Sequence, residues 1–133
     1  MKRLGLAVCL LFAATLSASP QEKIAATTIF RSTVTAAGQP IVFLTGKTEV
    51  AALMVDLPAG ADTGWHKHPW PRYAYVMSGA VTVENEAGQK RTYKAGDFLV
   101  EQLGIFHRGT TTAPTRLLVI DQDVAGKGNQ INR

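Results

Sequence analysis

From Thr28 onward apolar and polar residues alternate in short runs rich in Val, Ile, Thr, Phe and Tyr, broken by Gly, Pro or Asn every eight to twelve residues. The pattern predicts strands at 28–35, 41–44, 48–57, 63–70, 73–78, 80–84, 89–94, 97–102, 107–112 and 115–122. No helical period follows residue 19. Asn85-Glu86-Ala87-Gly88 supplies a hairpin turn, while Pro58-Ala59-Gly60 and Ala95-Gly96 interrupt pairing. A chain of about ten short strands must remove its edges, which predicts an all-β barrel or two-sheet jelly roll. The run 72–78 is apolar at both parities, so both of its faces should be covered, by a second layer or by a homodimer partner.

The N-terminus has a different pattern. Lys2 and Arg3 precede an apolar run at 4–16 and the small residues Ser17, Ala18 and Ser19, the order of a secretory signal peptide. The run is shorter than the roughly 20 residues that cross a bilayer, so a permanent span is not expected. Residues 1–18 are read as signal peptide, 19–27 as a mobile segment, 28–122 as the barrel and 123–133 as a tail, with a periplasmic or secreted location. Processing removes Lys2, Arg3 and Cys9, the one cysteine, leaving 12 basic against 10 acidic residues and no disulfide. The basic residues are scattered, which argues against nucleic acid as a partner.

The three histidines of the 133 residues are His66, His68 and His107. On a strand, His66 and His68 share a face about 6.6 Å apart. His107 starts a later strand that can lie beside them, and three imidazoles then converge on one ion. Pro69 and Pro71 hold His68 and Trp70 extended. Trp70 shares the parity of the two histidines and is a candidate pocket wall.

Gly60, His66, His68, Arg72 and Gly79, with Gly96, Gln102, Gly104, His107 and Thr111, resemble in spacing the two motifs of the cupins, with 16 residues between the motifs. The resemblance implies a small single-domain cupin β-barrel of exported bacterial type. It implies that His66, His68 and His107 are three of four ligands for a divalent transition metal, Fe, Mn, Ni, Cu or Zn. The family usually has Glu at position 72, Pro at 102 and Asn at 111. Gln102 and Thr111 are read as structural variations, but the Arg72 guanidinium has no lone pair for a metal. Three readings follow: a three-histidine site with extra open positions, which is favoured, recruitment of Glu101 or Tyr73, or loss of the metal. If Phe98 and Val100 fill the barrel, Glu101 points outward. An inward Arg72 would need an anion between it and the ion, which a substrate carboxylate could supply; an outward Arg72 would pair with a surface acid. Arg72, Trp70 and Tyr73 are therefore the candidate substrate contacts. The functions expected are a metal-dependent, dioxygenase-type oxidoreductase acting on a small anionic molecule, or a non-catalytic cupin that binds or senses a metal or small ligand.

Overall fold

The computed structural model describes residues 24–133; the expected signal peptide lies outside the described residues. Nine strands follow: β1 Thr48–Leu57, β2 His66–Lys67, β3 Arg72–Ser78, β4 Ala80–Asn85, β5 Lys90–Lys94, β6 Phe98–Val100, β7 His107–Thr110, β8 Thr115–Val124 and β9 Ile131–Asn132. They form a four-stranded sheet in the order β1-β8-β3-β6 and a five-stranded sheet in the order β5-β4-β7-β2-β9. All strand pairings are antiparallel. No helix forms among the described residues, and none is long and apolar enough to cross a membrane.

The core lies between the sheets. Ala74, Val76, Leu99, Leu117 and Val119 face it from the first, Val81 and Tyr93 from the second, and Val55, Leu57 and Val83 pack around them. The same parity that sends Ala74 and Val76 inward also sends Arg72 inward. Gly79 joins β3 to β4 at φ 75°, and a Cβ there would overlap the Pro114 carbonyl, so both conformation and space require glycine.

Several predicted strands are corrected. Residues 28–35 and 41–44 form no strand beyond an isolated bridge between Val34 and Pro40. That segment instead covers β6: Ala36 N–H donates to the Val100 carbonyl, and the Gln39 amide both donates to the Leu103 carbonyl and accepts from Leu103 N–H, each at 2.8 Å. Its pairing potential is spent on protecting an edge. The strand expected at 63–70 shrinks to two residues because Gly64 takes φ 72° on one side and two prolines follow on the other. Residues 123–133 are not a loose tail. Strand β8 continues to Val124, and β9 pairs with β2, placing Asn132 opposite His66 and Ile131 opposite Lys67.

Both faces of β3 are apolar, as expected, and the outer face is partly covered by this chain. Phe30 stacks on Phe98 with ring centroids 5.1 Å apart, and Phe98 neighbours Tyr73 at 6.5 Å. Val50, Met54 and Met77 remain exposed.

Candidate metal centre

His66 and His107 are directly opposed in the β2–β7 ladder, so adjacent strands bring the two motifs together. His68 follows on the same face of the chain. The three rings lie with centroids 4.6–5.1 Å apart. All three are buried, His68 completely.

Each imidazole is oriented by a backbone carbonyl. His66 Nδ1 donates to Gly64 and His107 Nδ1 to Ile105, both at 2.9 Å, and His68 Nδ1 donates to Asn129. A carbonyl only accepts, so each Nδ1 carries the proton and each Nε2 turns a lone pair toward the shared centre. Such bonds are the usual partners of metal-bound histidines.

The fourth group is Glu101. Its Oε2 lies 3.1 Å from His68 Nε2 and 3.0 Å from His107 Nε2, so the outward placement expected for this residue is wrong. Leu99, not Phe98 or Val100, faces the core, and alternation carries Glu101 inward with it. Glu101 N–H donates to the Arg72 carbonyl, which extends the β3–β6 ladder and sets the two residues side by side. The carboxylate that the motif would place at 72 thus arrives from the neighbouring strand. Phe98, Leu99 and Val100 are all apolar, so sequence alternation had no means of choosing the inward parity.

The donor set fits a cation. The four ligand atoms of His66, His68, His107 and Glu101 all lie within 4.8 Å of one another. Three Nε2 lone pairs and a carboxylate are all acceptors, and a positive ion or shared protons must sit among them. Separations of 3.0 and 3.1 Å match the edge of an octahedron built on ligand distances of about 2.1 Å. Burial holds His66 below the ordinary imidazole value, against its bond to Gly64. Burial would raise the Glu101 carboxyl, but the His107 and His68 rings at its Oε2 and the positive charge of Arg72 outweigh burial and hold it below the usual carboxylate range. Neutral imidazole and ionised carboxylate are the forms a metal takes.

Arg72 points inward and meets an anion, but one belonging to the protein. Its Nε and Nη2 grip Asp121 at 2.6 and 2.8 Å, while Nη1 lies 3.4 Å from His68 Nε2. Burial opposes its charge, and Asp121 with Glu101 more than restores it. The two-pronged bond expected for a substrate carboxylate is already occupied. Tyr73 lies on the outer face against Phe98, because it has the opposite parity to Arg72, so it neither ligates nor lines the site. Trp70 lines neither cavity at the cluster; its backbone N–H donates to Asn129 Oδ1, which fixes the chain after His68. Asn129 and Asp121 escaped the sequence reading altogether. Asn129 Nδ2 donates to the Pro71 carbonyl at 3.2 Å and to Asp121 Oδ1 at 3.1 Å, so one tail residue links His68, Pro71 and the Arg72 pair.

Two cavities border the cluster. One of about 90 Å³ runs into the apolar interior past Ala74, Leu117 and Val119. The other, about 200 Å³, opens past Glu101 and His107 toward Asn85, Gln89 and Gln102.

Comparison with known proteins gives this site a family. Residues 53–121 match the family model described as Cupin domain. The chain belongs to the cupins. No curated protein matches it. Among solved structures this cupin is similar to the DMSP lyase DddQ from Ruegeria pomeroyi, at 24% identity and TM-score 0.55 over 71% of this chain and 46% of that one. It is also similar to an RmlC-like cupin from Shewanella frigidimarina, at 20% identity and TM-score 0.52 over 59% of this chain and 69% of that one. Oxalate oxidase gives 20% identity and TM-score 0.52 over 62% of this chain and 45% of that chain. This cupin spans under half the length of the lyase and of the oxidase. These likenesses establish the fold, and that fold hosts both a lyase and an oxidase.

Proposed function

We propose that this protein is an exported cupin that holds a divalent transition metal on His66, His68, His107 and Glu101 and acts as a dioxygenase-type oxidoreductase on a small anionic molecule. The observation that carries the reading is the convergence of four acceptors, with all three imidazole tautomers set by carbonyls. A bound ion would supply Lewis acidity and, if redox-active, electrons for dioxygen. The protein's part is to orient the ligands, keep Glu101 ionised and admit a ligand from one side. Three neutral imidazoles and one carboxylate leave a divalent ion with one net positive charge, while Arg72 and Asp121 cancel each other. An anion is favoured at whatever positions stay open. Four donors supplied by the protein also suit tetrahedral zinc with no vacancy, which favours the second reading, a non-catalytic binding or sensing cupin.

Elemental analysis of untagged protein from the export compartment, together with oxygen uptake on a panel of small acids, tests both. Stoichiometric Fe, Mn, Ni or Cu with uptake supports the oxidoreductase; zinc without turnover supports the binding module. Absence of metal, or full metal content in any single Ala variant of the three histidines, overturns the ligand set. Intact mass beginning at Met1 would refute processing. Exposed Val50, Met54 and Met77 support self-association through the outer sheet face, and a monomer by sedimentation refutes it.

A further inference from the structure

The 200 Å³ cavity beside Glu101 and His107 has a polarity that can be read from its hydrogen bonds. Asn85 is buried at the end of β4, and its Oδ1 accepts from Ala87 N–H at 3.1 Å and Gln89 N–H at 3.0 Å. Backbone N–H groups only donate, so that atom is an oxygen and Nδ2 lies on the opposite side. Asn85 Nδ2 reaches Gln89 Oε1 at 2.9 Å and Gln102 Oε1 at 3.5 Å. Gln89 Oε1 is thereby held toward Asn85, Gln102 Oε1 stands at the outer limit of a hydrogen bond to it, and both Nε2 groups are left to face elsewhere. Neither Nε2 has a protein partner among the described residues. Gln102 is buried and Gln89 exposed, and both line this cavity, which opens to solvent. Arg91 adds a cation on the same wall, stacked over Tyr93 at 5.0 Å and without a carboxylate partner among the described residues.

We infer that this cavity is an oxygen-acceptor pocket in which Gln89 and Gln102, polarised by Asn85, bind one carboxylate of a small dicarboxylate or oxo acid whose other end reaches the metal centre. The inference deepens the proposed function and rests on its metal site. Its volume, about that of seven waters, accommodates a ligand of a few carbons. With Arg72 held by Asp121, recognition passes from the guanidinium to the two amides. Gln102, at a position where the motif usually has proline, is a binding residue rather than a neutral variation. A buried donor left without an acceptor costs affinity, so the pocket selects against ligands that bring only donors, such as an ammonium group, to that end.

The test titrates malonate into metal-loaded wild-type protein, Gln102→Glu and Gln89→Glu by calorimetry, with metal content measured in parallel. Each substitution keeps the side chain's shape and replaces a donor by an anionic acceptor. Malonate affinity should fall at least tenfold in Gln102→Glu and severalfold in Gln89→Glu, with metal content unchanged. Unchanged malonate affinity in both overturns the inference while leaving the metal site standing. Metal-free wild type that still binds malonate, with loss in Gln102→Glu, supports the pocket and shows that its ligand does not need the metal. Should the variants not fold, wild type decides alone: malonate should bind at least tenfold more tightly than 3-aminopropanoate, which keeps one carboxylate for the metal and brings only donors to the pocket, and equal affinity overturns the proposal.

Discussion

Removing residues 129–133 should damage the metal centre from outside it. The truncation deletes the carbonyl that accepts from His68 Nδ1, the Asn129 side chain that joins Trp70, Pro71 and Asp121, and the β9 pairing against His66 and Lys67. It also removes the 3.0 Å bond from Arg133 N–H to the Trp65 carbonyl. His68 is wholly buried and Trp70 partly so, and two donors, His68 Nδ1 and the Trp70 backbone N–H, lose their partners, while the Pro71 carbonyl keeps the Gln122 N–H at 3.0 Å. At ~1–3 kcal/mol for each of these two donors, the loss is about 2–6 kcal/mol. That is a large part of the ~5–15 kcal/mol holding an ordinary domain together. Loss of the carbonyl behind a ligating histidine should also weaken metal binding by about 10–100-fold. Urea denaturation of metal-free protein measures the first quantity and competition with a chromogenic chelator the second. Asn129→Ala separates them, because it keeps the carbonyl: stability should fall by about 1–3 kcal/mol, with metal affinity within a few-fold of wild type. Unchanged metal affinity in the truncated protein would refute the role assigned to the tail.

Asp121→Asn should destabilise the protein by about 3–5 kcal/mol, because it strands the inward Arg72 charge, whereas Arg72→Met with Asp121→Leu should recover much of that loss. A urea midpoint for the single variant close to wild type would show the pair to be dispensable. Metal-free stability should decline as the pH falls below about 6.5, since burial lowers the His66 value in the folded state and the unfolded chain therefore binds the proton first. The contribution is complete above that pH, and His66→Gln should reduce the slope in urea melts recorded from pH 8 to 5; an unaltered slope would contradict it.

Much of the barrel is legible in the sequence because it rests on local chemistry. Alternation marks β1, β3 to β5 and β8, turn residues punctuate them, and three histidines at motif spacing mark the ligands that converge. Where a segment carries strand-like residues but meets the β6 edge through only a few hydrogen bonds, as at 28–35 and 41–44, composition misleads, since it reports a propensity and not a register. Glu101 and Arg72 show the deeper limit. The inward parity of 98–101 is undecidable when every preceding residue is apolar, and only pairing of β6 with β3 brings the carboxylate to the histidines. The anion for Arg72 comes from β8, 49 residues away in sequence, and the carbonyl for His68 lies 61 residues on. Local pattern determines which residues can ligate, pair or turn. Which of them meet is decided by register across strands distant in sequence, and that register is settled only when the whole sheet closes.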